Sequence, residues 1–135
     1  MVIFAGIDLL AKFYAGSDAG KIRPRFEEFS KSYLDLQIDG ESGDLWNVRN
    51  SFMHSFGLYN KGVKKKVVLL ESASDPHDKQ RVVNSTDERL TVYLVTLFCA
   101  FTRAIGMYKS DLLNSSDLEP KFDAIFPNYG SILIG

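Results

Sequence analysis

Cysteine, histidine and proline are scarce in this chain: one, two and four residues among 135. The single Cys99 cannot close an internal disulfide, which excludes a disulfide-stapled scaffold and leads one to expect a reducing, cytoplasmic setting. Two distant histidines, His54 and His77, give no metal-ligand spacing with that cysteine. Neither sign of charge prevails, since sixteen Lys and Arg face seventeen Asp and Glu for a net charge of −1. Any contact with nucleic acid must then come from a local patch, not from bulk basicity. Long hydrophobic runs are missing too. The longest, Leu90 to Thr102, is cut by Arg103 and falls short of the ~20 residues a membrane span needs. The apolar N-terminal run has no cationic segment before it and is broken by Asp8 and Lys12, which makes it a poor signal peptide. No Gly-rich phosphate loop or nucleophile elbow occurs. The expectation is a protein with no membrane association, metal or cofactor.

What is present is an ordinary globular composition, 45% apolar and 24% charged, over a length that suits one domain across residues 1–135. Ile3, Ile7, Leu10, Ala11 and Tyr14 predict an amphipathic helix over residues 2–15, closed at Gly16. It starts almost at Met1 without a capping residue, which leaves open whether the native N-terminus lies upstream. Pro24 suits the first turn of a second helix over 24–36, carrying Phe26, Phe29 and Tyr33. After a loop from Asp39 to Gly43, Ser42 or Asp44 can cap a third helix over 44–56, with Gly57 as its stop. Lys64 to Leu70 reads as a short strand, with Arg81-Val82-Val83 returning beside it as a hairpin. Ser85-Thr86-Asp87-Glu88 reads as a capping box opening a helix over 87–113. In it Leu94, Phe98, Phe101 and Ile105 should face the core against Val48 and Phe52, with Cys99 buried and inert. A last short helix carries Phe122, Ile125 and Phe126. The fold class expected is all-α: an up-and-down bundle of about five helices that could carry a small β-hairpin insert.

The third helix holds the chemistry. At about 100° per residue, Leu45, Val48, Phe52 and Phe56 form its core stripe, and Asn47, Asn50 and His54 fall on the opposite, polar side. Arg49 sits at the edge of the core stripe, where a long side chain can reach outwards. Trp46 and Met53 form a second apolar strip, which points to an interface beyond the helix's own core. The Lys64-Lys65-Lys66 run is the nearest candidate for an RNA contact, although such runs are usually solvated strand edges.

The stretch Leu45-Trp46-Asn47-Val48-Arg49-Asn50-Ser51-Phe52-Met53-His54 contains Arg-Asn-x-x-x-His. It resembles the signature motif of the HEPN superfamily of small helical domains. The resemblance implies a metal-independent endoribonuclease, possible as a toxin or defence protein. In that reading His54 would be the acid/base, Arg49 would stabilise the phosphate and Asn50 would support them. RNA supplies its own 2′-OH nucleophile, which an imidazole can deprotonate while a guanidinium neutralises the phosphate. It also implies a homodimer in which two third helices face each other, with an antitoxin or a nucleotidyltransferase as partner. The tyrosine that some members carry two residues after the His is Phe56 here, and Tyr59 is only a loose substitute. The alternative is a non-catalytic helical module that binds a protein or a nucleotide.

Overall fold

The computed structural model describes residues 2–36, 40–54 and 59–130. Helix α1 spans Val2–Ala15 and buries Phe4, Ile7, Ala11 and Phe13. Gly16 ends it at φ 70°, the left-handed position glycine takes most easily, and its N–H closes on the Lys12 carbonyl at 2.9 Å. Helix α2, Ile22–Tyr33, starts slightly before Pro24 and buries Phe26, Phe29 and Tyr33. Helix α3 spans Glu41–His54, beginning three residues before Asp44. Phe56, Gly57 and Asp39 lie outside the described residues.

The segment that follows is a sheet, and it overturns the all-α bundle. Strands β1 (Tyr59–Asn60), β2 (Lys65–Leu70), β3 (Val83–Ser85) and β4 (Arg89–Tyr93) form a four-stranded mixed sheet in the order β1-β2-β4-β3. The expected hairpin between β2 and the Arg81-Val82-Val83 region does not form. Instead β4 lies between them, parallel to β2 and antiparallel to β3. The residues of β4 had been expected as the first turn of the long helix. Leu90 and Val92 alternate inward on a β-branched stretch, and that period of two outweighs the Leu90–Leu94 spacing. The Ser-Thr-Asp-Glu stretch caps no helix. It turns the β3–β4 hairpin, with the Thr86 N–H donating to the Arg89 carbonyl at 2.9 Å and the Arg89 N–H donating to Thr86 Oγ1 at 3.2 Å.

Helix α4, Leu94–Asn114, runs straight out of β4, and α5, Leu118–Ile125, follows it. The core face of α4 is Leu97, Ala100, Ala104 and Tyr108. Phe98 and Ile105, expected inside, are 60% and 43% exposed, and Leu94 and Phe101 are only half-buried. The two alanines explain the choice, because small residues let the α1–α2 layer come close where phenylalanines could not fit. Cys99, expected buried, is exposed. One hydrophobic cluster joins helices and sheet, from Ile7, Phe26 and Phe29 through Leu45 and Val48 to Leu90, Val92 and Leu97. No described helix is long and apolar enough to cross a membrane.

Candidate functional site

The N-terminus of α3 is anchored to the sheet by Glu41, which is 2% exposed. Its Oε1 accepts the backbone N–H groups of Val82 (2.7 Å) and Val83 (3.2 Å) at the entry to β3. One turn further on, Leu45 and Val48 are fully buried, and Phe52 packs on Phe4 of α1 with ring centroids 5.7 Å apart. With that face fixed, the helix presents Asn47, Asn50 and His54 on another side.

Those three residues line an open cleft of about 490 Å³ together with Trp46, Ser51, Arg23 and the β1 segment from Tyr59 to Val63. Asn60 shapes its wall. The Asn60 amide donates to the Asn47 carbonyl at 2.7 Å, which ties the loop to α3, and its Oδ1 accepts the Val63 N–H at 2.9 Å, which closes the loop on itself. Ser51 Oγ donates to the same Asn47 carbonyl at 2.8 Å. The cations of the cleft are Lys61, exposed, and Arg23, whose Nε is paired with Glu27 at 2.7 Å.

Arg49 is not among the lining residues. Its Nε and Nη2 donate to Asp8 Oδ2 on α1 at 3.0 and 2.6 Å, and its guanidinium lies 4.9 Å from the Trp46 ring centroid. Its Nη1 donates to Asn50 Oδ1 at 3.1 Å. Arg49 therefore touches the cleft only through Asn50 and Trp46, and the carbonyl end of the Asn50 amide is occupied. Arg49 and His54 diverge by about 140° on a straight helix, so their separation follows from the spacing itself.

The other expected residues scatter. Trp46, placed at an interface by the sequence, is 9% exposed and packs edge-on against Phe26 at 5.4 Å, inside its own chain. Met53 is 64% exposed. The three lysines do not form one patch, because strand alternation sends neighbours to opposite faces. Lys64 sits in the β1–β2 turn and Lys66 is exposed, paired in register with Arg89. Lys65 points to the α3 side, where its Nζ donates to Ser85 Oγ at 2.7 Å beside Asp44. Burial there raises the Asp44 carboxyl above the ordinary 3.8, with Lys65 and Ser85 opposing the shift.

Asp8, Arg23, Asn60 and Lys61 were not picked out as site residues. Asp8 had a signal: an acid interrupting an apolar helix calls for a cation, and Arg49 stands at the matching edge of another core stripe. Lys61 and Arg23 had none, because Lys61 reaches the cleft from the β1 turn and Arg23 from α2, through packing that no period along the chain announces. Among the described residues, no three of His, Cys, Asp and Glu come together in a way that could hold a metal ion. Compared with protein-family models, curated proteins and solved structures, the chain matches none of them.

Proposed function

We propose that the chain is a HEPN-type RNA-processing domain whose substrate enters the cleft along the polar face of α3. The observation that carries this reading is that Asn50 and His54 of the Arg-Asn-x-x-x-His motif line one open cleft with a cation, Lys61, and a half-open aromatic, Tyr59. His54 acts as the proton carrier for the 2′-OH or the leaving oxygen. Lys61, with Arg23 lining the same cleft, holds the phosphate as a point charge. Arg49 is a positioning residue here. It occupies the Asn50 carbonyl and so leaves the Asn50 amide N–H groups as the donors free for the cleft. Tyr59, 38% exposed, offers a ring on which an unpaired base can stack.

The test is cleavage of single-stranded RNA in the presence of EDTA. The expected result is turnover by the wild type, loss in His54→Ala with RNA affinity kept, and weakened binding in Lys61→Ala. Undiminished cleavage by His54→Ala rejects the assignment. One observation favours a second reading, binding without cleavage: the Arg49 guanidinium is already committed to Asp8 at 2.6 Å. That reading expects RNA or nucleotide affinity that depends on Lys61, with no turnover under any condition.

A further inference from the structure

The long helix α4 leaves a strip of large apolar side chains uncovered. Val95 is 48% exposed, Phe98 60% and Ile105 43%, and with Thr102 they recur at the alternating three- and four-residue spacing of a helix–helix seam. Gly106 lies on the same strip, and a methyl group placed there would meet nothing within 4 Å. A protruding ring and an empty site therefore sit eight residues apart on one face.

We infer that this face binds a second copy of the chain, with the two α4 helices antiparallel about a two-fold axis at Thr102. In that register each Phe98 lies opposite Gly106 of the partner, so both rings fill both empty sites at once. Such self-complementarity is what a two-fold interface requires, and an unrelated partner would need it from neither residue. Val95 falls opposite Lys109, whose aliphatic stem can cover it while the ammonium stays in water. Antiparallel packing also sets the helix dipoles against each other favourably.

The ends of the helix fit the same register. The last turn of α4 carries Leu113, 76% exposed, and the axis places it beside the start of the partner's helix. There Leu69 and Leu70, 44% and 43% exposed, close β2 just before Glu71, whose carbonyl accepts the Val95 N–H at 3.0 Å. Strand alternation turns Leu69 and Leu70 to opposite faces, so one of the two can meet the partner copy's Leu113 at each end of a helix about 31 Å long at 1.5 Å per residue. A stable interface covers about 800 Å² per partner, roughly a tenth of the 8407 Å² this chain exposes. The α3-to-α3 assembly implied by the resemblance has less to cover, because Trp46 is buried within its own chain and Met53 alone protrudes from that strip. The inference is independent of the ribonuclease reading, since no residue of α4 lines the cleft.

Sedimentation of the full chain at micromolar concentration tests it. The wild type should be a dimer, and both Phe98→Asp and Gly106→Leu should be monomers with an unchanged circular dichroism spectrum. Gly106 is open to solvent on a helix, so its replacement should keep or raise the thermal midpoint of the monomer, and loss of the dimer could not be laid to unfolding. In a Cys99→Ser background, Thr102→Cys should form an intermolecular disulfide under mild oxidation, because the axis brings the two copies of that residue together. A monomeric wild type overturns the proposal. So does a dimer that survives both substitutions, or one that dissociates only on Met53→Asp.

Discussion

Two tyrosines packed in the same aromatic cluster show how far a single hydroxyl's partner decides its energetic sign. Tyr33 and Tyr108 meet edge to face with centroids 5.6 Å apart. Tyr33 donates to Asp111 Oδ2 at 2.9 Å, whereas the Tyr108 hydroxyl is buried with no hydrogen-bond partner. Removing a satisfied hydroxyl loses its bond, and removing an orphaned one relieves a desolvation penalty. Tyr33→Phe should therefore destabilise by about 1 kcal/mol and Tyr108→Phe should stabilise by a similar amount, as measured by urea denaturation. Burial pushes the Tyr108 phenol from 10.0 up to about 12. A group whose pKa is raised in the fold contributes stability below its unfolded value and loses it as pH rises towards the folded one. The alkaline decline between 10.0 and about 12 should accordingly be shallower in Tyr108→Phe. Arg49 and His54 separate in the same experiment. Arg49→Ala strands Asp8, whose Oδ1 already lacks a partner, and should cost about 3 kcal/mol. His54→Ala, on an exposed side chain, should stay within about 0.5 kcal/mol. Equal losses from the two would show that the Asp8 pair is not structural.

Among the elements, α1, α2 and the start of α3 were legible in the sequence to within a few residues, because an apolar stripe at helical spacing runs through each. The sheet was not. Its central strand is five residues long and runs into α4 without a loop, so one continuous apolar run served two structures of different period. Even the face of α4 was hidden, since both of its strips are apolar and the buried one is the smaller in volume. Leu97→Ala should cost about 2–5 kcal/mol, as expected for a fully buried leucine. Phe98→Ala should change the stability of the monomer by no more than about 0.5 kcal/mol, so denaturation at a concentration below the dimer's dissociation would settle which face is core. The candidate site was legible in half. His54 and Asn50 lie on one helix, where a wheel suffices. Lys61 and Tyr59 reach the cleft through a two-residue strand that no period can announce.

For the molecule as a whole, a net charge of −1 makes the strength and salt dependence of RNA binding a measure of how local the site is. Each phosphate neutralised on a single strand contributes about −0.7 to the slope of log affinity against log salt. The cleft offers Lys61 and Arg23, and Arg23 already shares its charge with Glu27. Binding through this cleft should give a slope between about −0.7 and −1.4. Dimerisation through α4 leaves that value unchanged, because it adds a second independent cleft and no cation to the first. Lys61→Ala should flatten the slope by about 0.7, while Arg89→Ala should not alter it. Arg89 sits on β4, exposed and outside the residues that line the cleft, whereas Lys66 on β2 pairs in register with the cleft residue Tyr59. Fluorescence anisotropy of a labelled single-stranded RNA across a salt series reads all three numbers. A slope steeper than about −4 that Arg89→Ala reduces would move the RNA from the cleft to the outer face of the sheet. His54 would then be left without a substrate.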